Sequence, residues 1–256
     1  MNDPFFYLAG ILGLLIGSFL NVLIHRLPLK KDIVFDRSAC PKCKGQIAFY
    51  LNIPLLGYLF LRGKCQKCKQ PIHWRYPLVE LVTGCVFAFA LPISKDTISL
   101  YSYFLHVGVS SALIVHFFID LEHRLLLDKI NIYLLLLILP YSIIFNVPMF
   151  WILGGLIGFG GPLFVSWAFY KIKGKMGLGG GDIKLWGVLG ILLGPIGIME
   201  NIFFSSFLGS IIGIVLILQK KYHTDAGIPF GPFIILVALV QMYFPDLFRS
   251  LALFGA

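Results

Sequence analysis

Apolar runs of membrane-crossing length alternate with polar connections along this chain, and that alternation predicts its architecture. A bilayer core of ~30 Å calls for about 20 apolar residues in a helix. Such runs occur near Phe5 to Ile24, Pro77 to Ile93, Ile98 to Ile119 and Ile130 to Phe145. Four more follow near Met149 to Tyr170, Ile183 to Met199, Ile202 to Leu218 and Ile228 to Phe244. The sixth is the weakest, because it is short and contains Gly187, Gly190, Gly194 and Pro195. Its status decides between eight spans and seven. Composition agrees: 58% of the 256 residues are hydrophobic and 13% charged, which excludes an ordinary soluble domain. The fold expected is an all-α polytopic membrane protein of about eight transmembrane helices.

Basic residues collect in cytoplasmic connections, so charge orients the spans. The segment from Arg26 to Arg75 holds 11 of the 21 Lys and Arg residues. Arg124, Lys129, Lys171, Lys173, Lys175, Lys184, Lys220 and Lys221 fall at alternate connections on the same side, and only Lys95 and Arg249 lie opposite. With both termini outside, Asp120 and Asp182 face the cytoplasm together. This asymmetry and anionic lipid account for the net charge of +9 without a nucleic-acid partner. A cleaved signal peptide is not expected, since Asp3 stands where a basic region belongs and the apolar run is too long.

The polar stretch between the first two spans contains Cys40-Pro41-Lys42-Cys43 and Cys65-Gln66-Lys67-Cys68. Two such knuckles suit one tetrahedral zinc ion, and a cytoplasmic location disfavours disulfides. With all four positions filled by Cys40, Cys43, Cys65 and Cys68, the metal would be structural, in a zinc-ribbon-like domain. Neighbouring lysines offset the thiolate charge. Cys85 reads as a buried apolar filler and His73 as a surface residue or spare ligand. Three parts are expected: a first helix at 1–26, the four-cysteine zinc-binding domain at 27–76 and a membrane core at 77–256.

Three acids sit where apolar spans begin or end: Glu80, Asp120 and Asp182. Charge at such depth is costly unless paired, protonated or wet, so each is a functional candidate. Each also has a plain structural role open to it. Glu80 could pair with Arg75 or Arg26, Asp120 with His123 or Arg124, and Asp182 could cap the helix entered at Ile183. The run Gly179-Gly180-Gly181 lets another backbone approach Asp182 closely. Two carboxyls held together cannot both ionise cheaply, so one keeps a proton while the other acts as a base. That pairing suits amide hydrolysis by activated water.

The chain resembles the bacterial type IV prepilin peptidases, membrane aspartic proteases with a Gly-x-Gly-Asp signature. The likeness covers nearly its whole length. It rests on Gly17-Ser18-Phe19-Leu20-Asn21-Val22 with Arg26-Leu27-Pro28, on Cys-Pro-x-Cys at Cys40, on Asn52-Ile53-Pro54, and on Leu61-Arg62-Gly63-Lys64-Cys65. It continues through Arg75-Tyr76-Pro77-Leu78-Val79-Glu80, Asp120-Leu121-Glu122-His123, Gly179-Gly180-Gly181-Asp182-Ile183-Lys184-Leu185 and Pro229-Phe230-Gly231-Pro232-Phe233. The resemblance implies that Asp120 and Asp182 are catalytic, with Gly179, Gly181, Lys184, Glu122 and Asp128 supporting the site. It implies cleavage of a basic leader from prepilins or pseudopilins at the cytoplasmic face of the bacterial inner membrane. It also implies N-methylation of the new terminus by S-adenosylmethionine, with Arg62, Gly63 and Glu80 as candidates, although no glycine-rich nucleotide fingerprint is present. One departure is Leu126-Leu127-Asp128, where the family commonly has Leu-Pro-Asp. Asp128 stands as the next candidate should Asp120 not be the partner.

Other readings remain open to the residues alone. A metalloprotease could use Glu122, His123 and Asp128, but His-Glu-x-x-His is absent. A transporter could couple ions through Glu80, Asp120 and Asp182, and would be expected to show internal repeats and acids near mid-bilayer. A zinc-bearing scaffold with inert acids is the third.

Overall fold

A computed structural model describes residues 4–33, 38–91, 97–174, 177–219 and 229–251. The chain divides into two compact units, Met1–Val115 and His116–Ala256. Among the described residues there is no strand, only the isolated antiparallel bridges Ala39–Gln46 and Lys64–Pro71. Five helices there are long and apolar enough to cross a membrane. Basic residues Arg37, Lys95, Lys175, Lys220 and Lys221 lie outside the described residues, as does most of the expected connection at 219–227.

In the first unit, α1 (Pro4–Arg26) packs antiparallel to α3 (Arg75–Phe89), and the short α2 (Leu56–Phe60) lies in the intervening loop. Small residues allow the close fit. A Cβ on Gly13 would come within 2.9 Å of the Gly84 Cα, and one on Gly17 within 2.7 Å of the Glu80 Cα. Asn21 closes the pair by donating to the Tyr76 carbonyl at 3.0 Å. Cys85 does not fill the core as expected. It is exposed on α3, where an apolar thiol can meet lipid as readily as protein.

Helix α4 (Thr97–His123) runs across the division and carries Asp120 near its end. The second unit continues with α5 (Asp128–Phe145), α6 (Pro148–Lys173), α7 (Gly180–Leu218), α8 (Gly231–Tyr243) and α9 (Pro245–Leu251). Although α7 runs as one 39-residue helix by its hydrogen bonds, Gly194 breaks it with φ 72° and ψ −177°. Side-chain geometry shows that the chain turns back there. Trp186 Nε1 donates to Asn201 Oδ1 at 3.0 Å. In a straight helix, residues 15 apart would lie about 22 Å apart. Likewise a Cβ on Gly158 of α6 would meet both the Trp186 carbonyl and the Ile198 side chain. The α7 element is therefore a helical hairpin with arms at 180–193 and 195–218. The sixth and seventh runs exist as separate arms, but the reversal sits at Gly194-Pro195 and not at Glu200-Asn201, where the apolar pattern put it. Glu200 and Asn201 are buried inside the returning arm.

Candidate active site

Asp120 lies in the last turn of α4, 5% exposed and on a face whose preceding turn presents the fully buried His116. The helix stops three residues later because Arg124 adopts φ 55°, its amide still bonded to the Asp120 carbonyl at 2.9 Å. The connection Leu125-Leu126-Leu127 then leads into α5. From the other end of the unit, α8 brings its first residue against the acid. A Cβ on Gly231 would lie 2.7 Å from Asp120 Oδ2, and the Gly231 amide is directed at this carboxyl. Among the described residues no group hydrogen-bonds Oδ2, a buried oxygen left with unused acceptor capacity.

Asp182 sits in the first turn of α7. The N-cap is Gly179, and Asp182 is the third residue of the helix. Its carboxyl reaches back to the Gly179 amide, in the manner of the acidic member of a capping box. A Cβ on Gly179 would stand 2.8 Å from Asp182 Oδ2, and one on Gly181 would stand 2.8 Å from the Leu126 Cβ. The glycine run thus does two local things: it clears the approach to the acid, and it seats α7 against the connection that follows Asp120.

The Asp182 carboxyl is close enough to Asp120 to feel its charge. Each is also steadied by one glycine amide, so both are pointed by backbone rather than by flexible partners. Asp128 has a different setting. It begins α5, is 62% exposed, and its two oxygens accept from Lys184 Nζ at 2.8 and 2.9 Å. Lys184 is thereby turned to Asp128, and Glu122 lies exposed on the final turn of α4.

Sequence reasoning did not single out Gly231, His116, Asn131, Asn201 or Gln241 as part of this unit's polar interior. His116 Nε2 lies 3.2 Å from Asn131 Oδ1 on α5, with both residues buried. Asn201 accepts from Trp186 and donates to the Ile234 carbonyl at 3.3 Å and to Gln241 Oε1 at 3.0 Å. Only Gly231 had a readable signal, the Pro-Phe-Gly-Pro stretch around it.

In the first unit, the four thiols of Cys40, Cys43, Cys65 and Cys68 all lie within 4.8 Å of one another. Their knuckles repeat the same local build. The Cys40 amide bonds the Gly45 carbonyl and the Lys44 amide bonds the Cys40 carbonyl; Cys65, Lys69 and Gln70 repeat this. Lys44 and Lys69 turn left-handed at φ 55° and 58°. The amides of Cys68 and Lys67 hold the Cys65 thiol down at about 6, which favours a ligating thiolate. Four sulfurs at ~2.3 Å from a tetrahedral zinc would be about 3.8 Å apart, and Cys40 and Cys68 already stand at 3.9 Å. The donor set therefore fits zinc. His73 is exposed and accepts from the Arg75 amide at 3.2 Å, apart from the thiol cluster.

Glu80 is buried and accepts from the Leu55 amide at 2.8 Å, with Ser18 as a further partner. It is occupied with holding the loop. Arg62 and Gly63 form a left-handed pair at φ 48° and 67°, and a Cβ on Gly63 would meet the Tyr58 hydroxyl at 2.9 Å.

Comparison with known proteins agrees with this picture. The Bacterial Peptidase A24 N-terminal domain matches residues 11–93, and the Type IV leader peptidase family matches residues 107–214. The protein from Aeromonas hydrophila called prepilin leader peptidase/N-methyltransferase is 33% identical, covering 94% of this chain and 91% of its own. Proteins of the same name from Legionella pneumophila and Pseudomonas aeruginosa are each 32% identical, covering 96% and 92% of this chain and 94% and 89% of their own. No solved structure matches the chain. Identity at this level over nearly the full length of both partners, with both domains matched in order, means that the chain belongs to the type IV leader peptidase family.

Proposed function

We propose that this protein is a membrane aspartic endopeptidase that removes the basic leader of prepilins or pseudopilins and then N-methylates the exposed terminus. The observation that carries the peptidase reading is the pairing of Asp120 and Asp182. Asp182 lies within reach of the charge on Asp120, each carboxyl rests on a glycine amide, and Asp120 Oδ2 is buried without a hydrogen-bond partner among the described residues.

In this reading one carboxyl is ionised and takes a proton from a water molecule as it attacks the scissile carbonyl. The other holds a proton and donates it to the carbonyl oxygen as the tetrahedral species forms. Collapse then breaks the C–N bond: the proton gained from water passes to the leaving amine, and one hydroxyl proton of the tetrahedral species returns to the second carboxylate as the carboxyl product forms. No covalent intermediate is needed. Gly179 and Gly231 keep side chains away from the two carboxyls where the substrate backbone would lie, and Gly181 lets α7 seat against Leu126. Lys184 and Asp128 brace the entrance as an ion pair, and Glu122 adds negative charge at the rim that suits a basic leader. Membrane helices with an active end on the positively charged side fit a substrate whose own apolar helix stays in the bilayer, and this supports a cytoplasmic-facing site in the bacterial inner membrane. The arrangement of about eight spans is retained with the α7 hairpin counted as two.

Cys40, Cys43, Cys65 and Cys68 would hold zinc, which supplies a rigid crosslink between the two knuckles and no reacting position. S-adenosylmethionine supplies an electrophilic methyl group when bound. Arg62, Gly63 and Glu80 support methylation by shaping the loop, since Glu80 and Gly63 are engaged with Leu55 and Tyr58. The transporter reading is disfavoured by the family membership. The deciding experiment is incubation of the purified enzyme with leader-bearing peptides, with and without methyl donor, read by mass. Loss of the leader mass and gain of one methyl group report the two activities separately, and intact peptides would overturn the proposal.

A further inference from the structure

Residues 45–61 form a stretch without a charged side chain, bounded by Lys44 and Arg62, inside the loop that otherwise carries much of the basic charge. Its apolar side chains do not build a core. Phe60 is 76% exposed and Leu59 66%, and Tyr50, Ile53 and Leu56 are also exposed. An apolar patch of this kind outside the spanning helices marks a surface that meets another apolar phase.

The depth of this segment follows from its attachment. The α1 and α3 helices run antiparallel with Gly17 level with Glu80, as their close approach shows. Gly17 lies nine residues before Arg26, the basic end of α1, or about 13 Å below it along the helix. Glu80 Oε2 accepts from the Leu55 amide at 2.8 Å. Leu55 is therefore within one glutamate side chain of that depth. The turn therefore lies below the level of His25 and Arg26, beside the spanning helix α1 and its partner α3.

A loop can enter that region only if its backbone polar groups are satisfied from within the protein. This one is. Besides Leu55, the amides of Leu51, Leu56, Gly57, Leu59 and Leu61 donate to Ala48, Pro54, Ile53, Leu55 and Gly57 carbonyls respectively, and Pro54 has no amide to satisfy. Leu55 is held at φ 59° and ψ −47°, a costly conformation for a branched residue. The Glu80 bond fixes the chain at this point. Lys42, Lys44, Arg62, Lys64, Lys67 and Lys69 flank the stretch on both sides and match anionic headgroups.

We infer that residues 49–61 are a re-entrant interfacial element, inserted among the phospholipids of the leaflet on the Arg26 side and anchored by Glu80. Bilayer lipid is the occupant of the exposed Leu59 and Phe60 faces. The element fixes the height of the thiol cluster above the membrane, whose first knuckle precedes it and whose second follows it.

The test places benzoylphenylalanine singly at Phe60 or Leu59 of the full chain, reconstituted in vesicles of phosphatidylethanolamine and phosphatidylglycerol and irradiated. Leu136, exposed on α5, serves as the lipid-facing reference, and Lys42 as the aqueous one. The expected result is a protein mass increased by one phospholipid at Phe60 or Leu59, in yield close to that at Leu136 and at least about tenfold above Lys42. Yields at both positions equal to Lys42, or adducts with a second copy of the chain or with an added prepilin in place of lipid, would overturn the inference. The readout needs no peptidase activity, so it stands or falls separately from the proposed function.

Discussion

Trp186 gives its indole N–H to Asn201 at 3.0 Å, and this bond ties the two arms of the α7 hairpin together. Asn201 is fully buried and also donates to Ile234 and Gln241 of α8, the helix whose first residue faces Asp120. One amide thus links the arm that carries Asp182 to the helix that lines Asp120. Replacing Asn201 with Leu leaves the Trp186 N–H and the Gln241 carbonyl oxygen without this partner. Interhelical hydrogen bonds in membranes are worth about 0.6 kcal/mol each on average, so the expected loss is about 2 kcal/mol for three. Trp186→Phe removes one bond and should cost about a third of that. Reversible unfolding in mixed micelles measures both, and equal losses would contradict the geometry.

Asp120→Asn and Asp182→Asn should each lower leader cleavage by at least about 10³-fold while the protein still inserts. Asp128→Asn is the contrasting variant. Its carboxylate is exposed and paired with Lys184, a bond worth less than about 1 kcal/mol, so cleavage should fall by less than tenfold. For the unaltered enzyme, kcat/KM should show an acid and a basic limb that belong to the pair jointly. Initial rates on a leader-bearing peptide across pH separate these outcomes. A collapse of activity in Asp128→Asn with Asp120→Asn active would exchange their assignments.

Much of this site could be read from the chain because its signals are local. The knuckle spacing, Asp182 behind its glycines and Asp120 at the end of an apolar run all lie within a few residues. The hairpin was misplaced for a physical reason. Hydropathy treats Glu200-Asn201 as the end of a span, whereas here both are buried and Asn201 bonds partners 15 to 40 residues away. The true reversal, at Gly194-Pro195, left only a breaker pair inside an apolar run, and its backbone angle identifies it. The same limit hid the contact of Gly231 with Asp120, which depends on how α8 returns to α4, and the bond from the Leu55 amide to Glu80.

Removing the thiol cluster should act on folding and leave the chemistry of the surviving protein intact. Cys40→Ser takes away a buried ligand from a set in which all four sulfurs lie within 4.8 Å. Because binding energy at such a site is folding energy, the yield of inserted protein should fall and bound zinc should be lost. Metal analysis and cleavage per folded molecule are the measurements. Normal zinc content in Cys40→Ser would remove that residue from the ligand set, and loss of cleavage in a fully folded variant would make the metal more than structural.

Gly231→Ala isolates the space around Asp120 from its charge. The added methyl carbon would stand 2.7 Å from Asp120 Oδ2, too close to tolerate, and backbone at the start of α8 leaves little room to yield. The carboxyl must rotate from its place or α8 must shift. A displacement of about 1 Å at a reacting group can cost about 10²-fold, so kcat should fall by that order. Gly160→Ala is the matched control, since a Cβ there meets nothing within 4 Å. It should cleave normally. Because Asp120 keeps its charge in Gly231→Ala, binding of a basic leader should change little, and the defect should appear in kcat rather than KM. Unchanged kcat in Gly231→Ala would mean that α8 does not set the position of the acid.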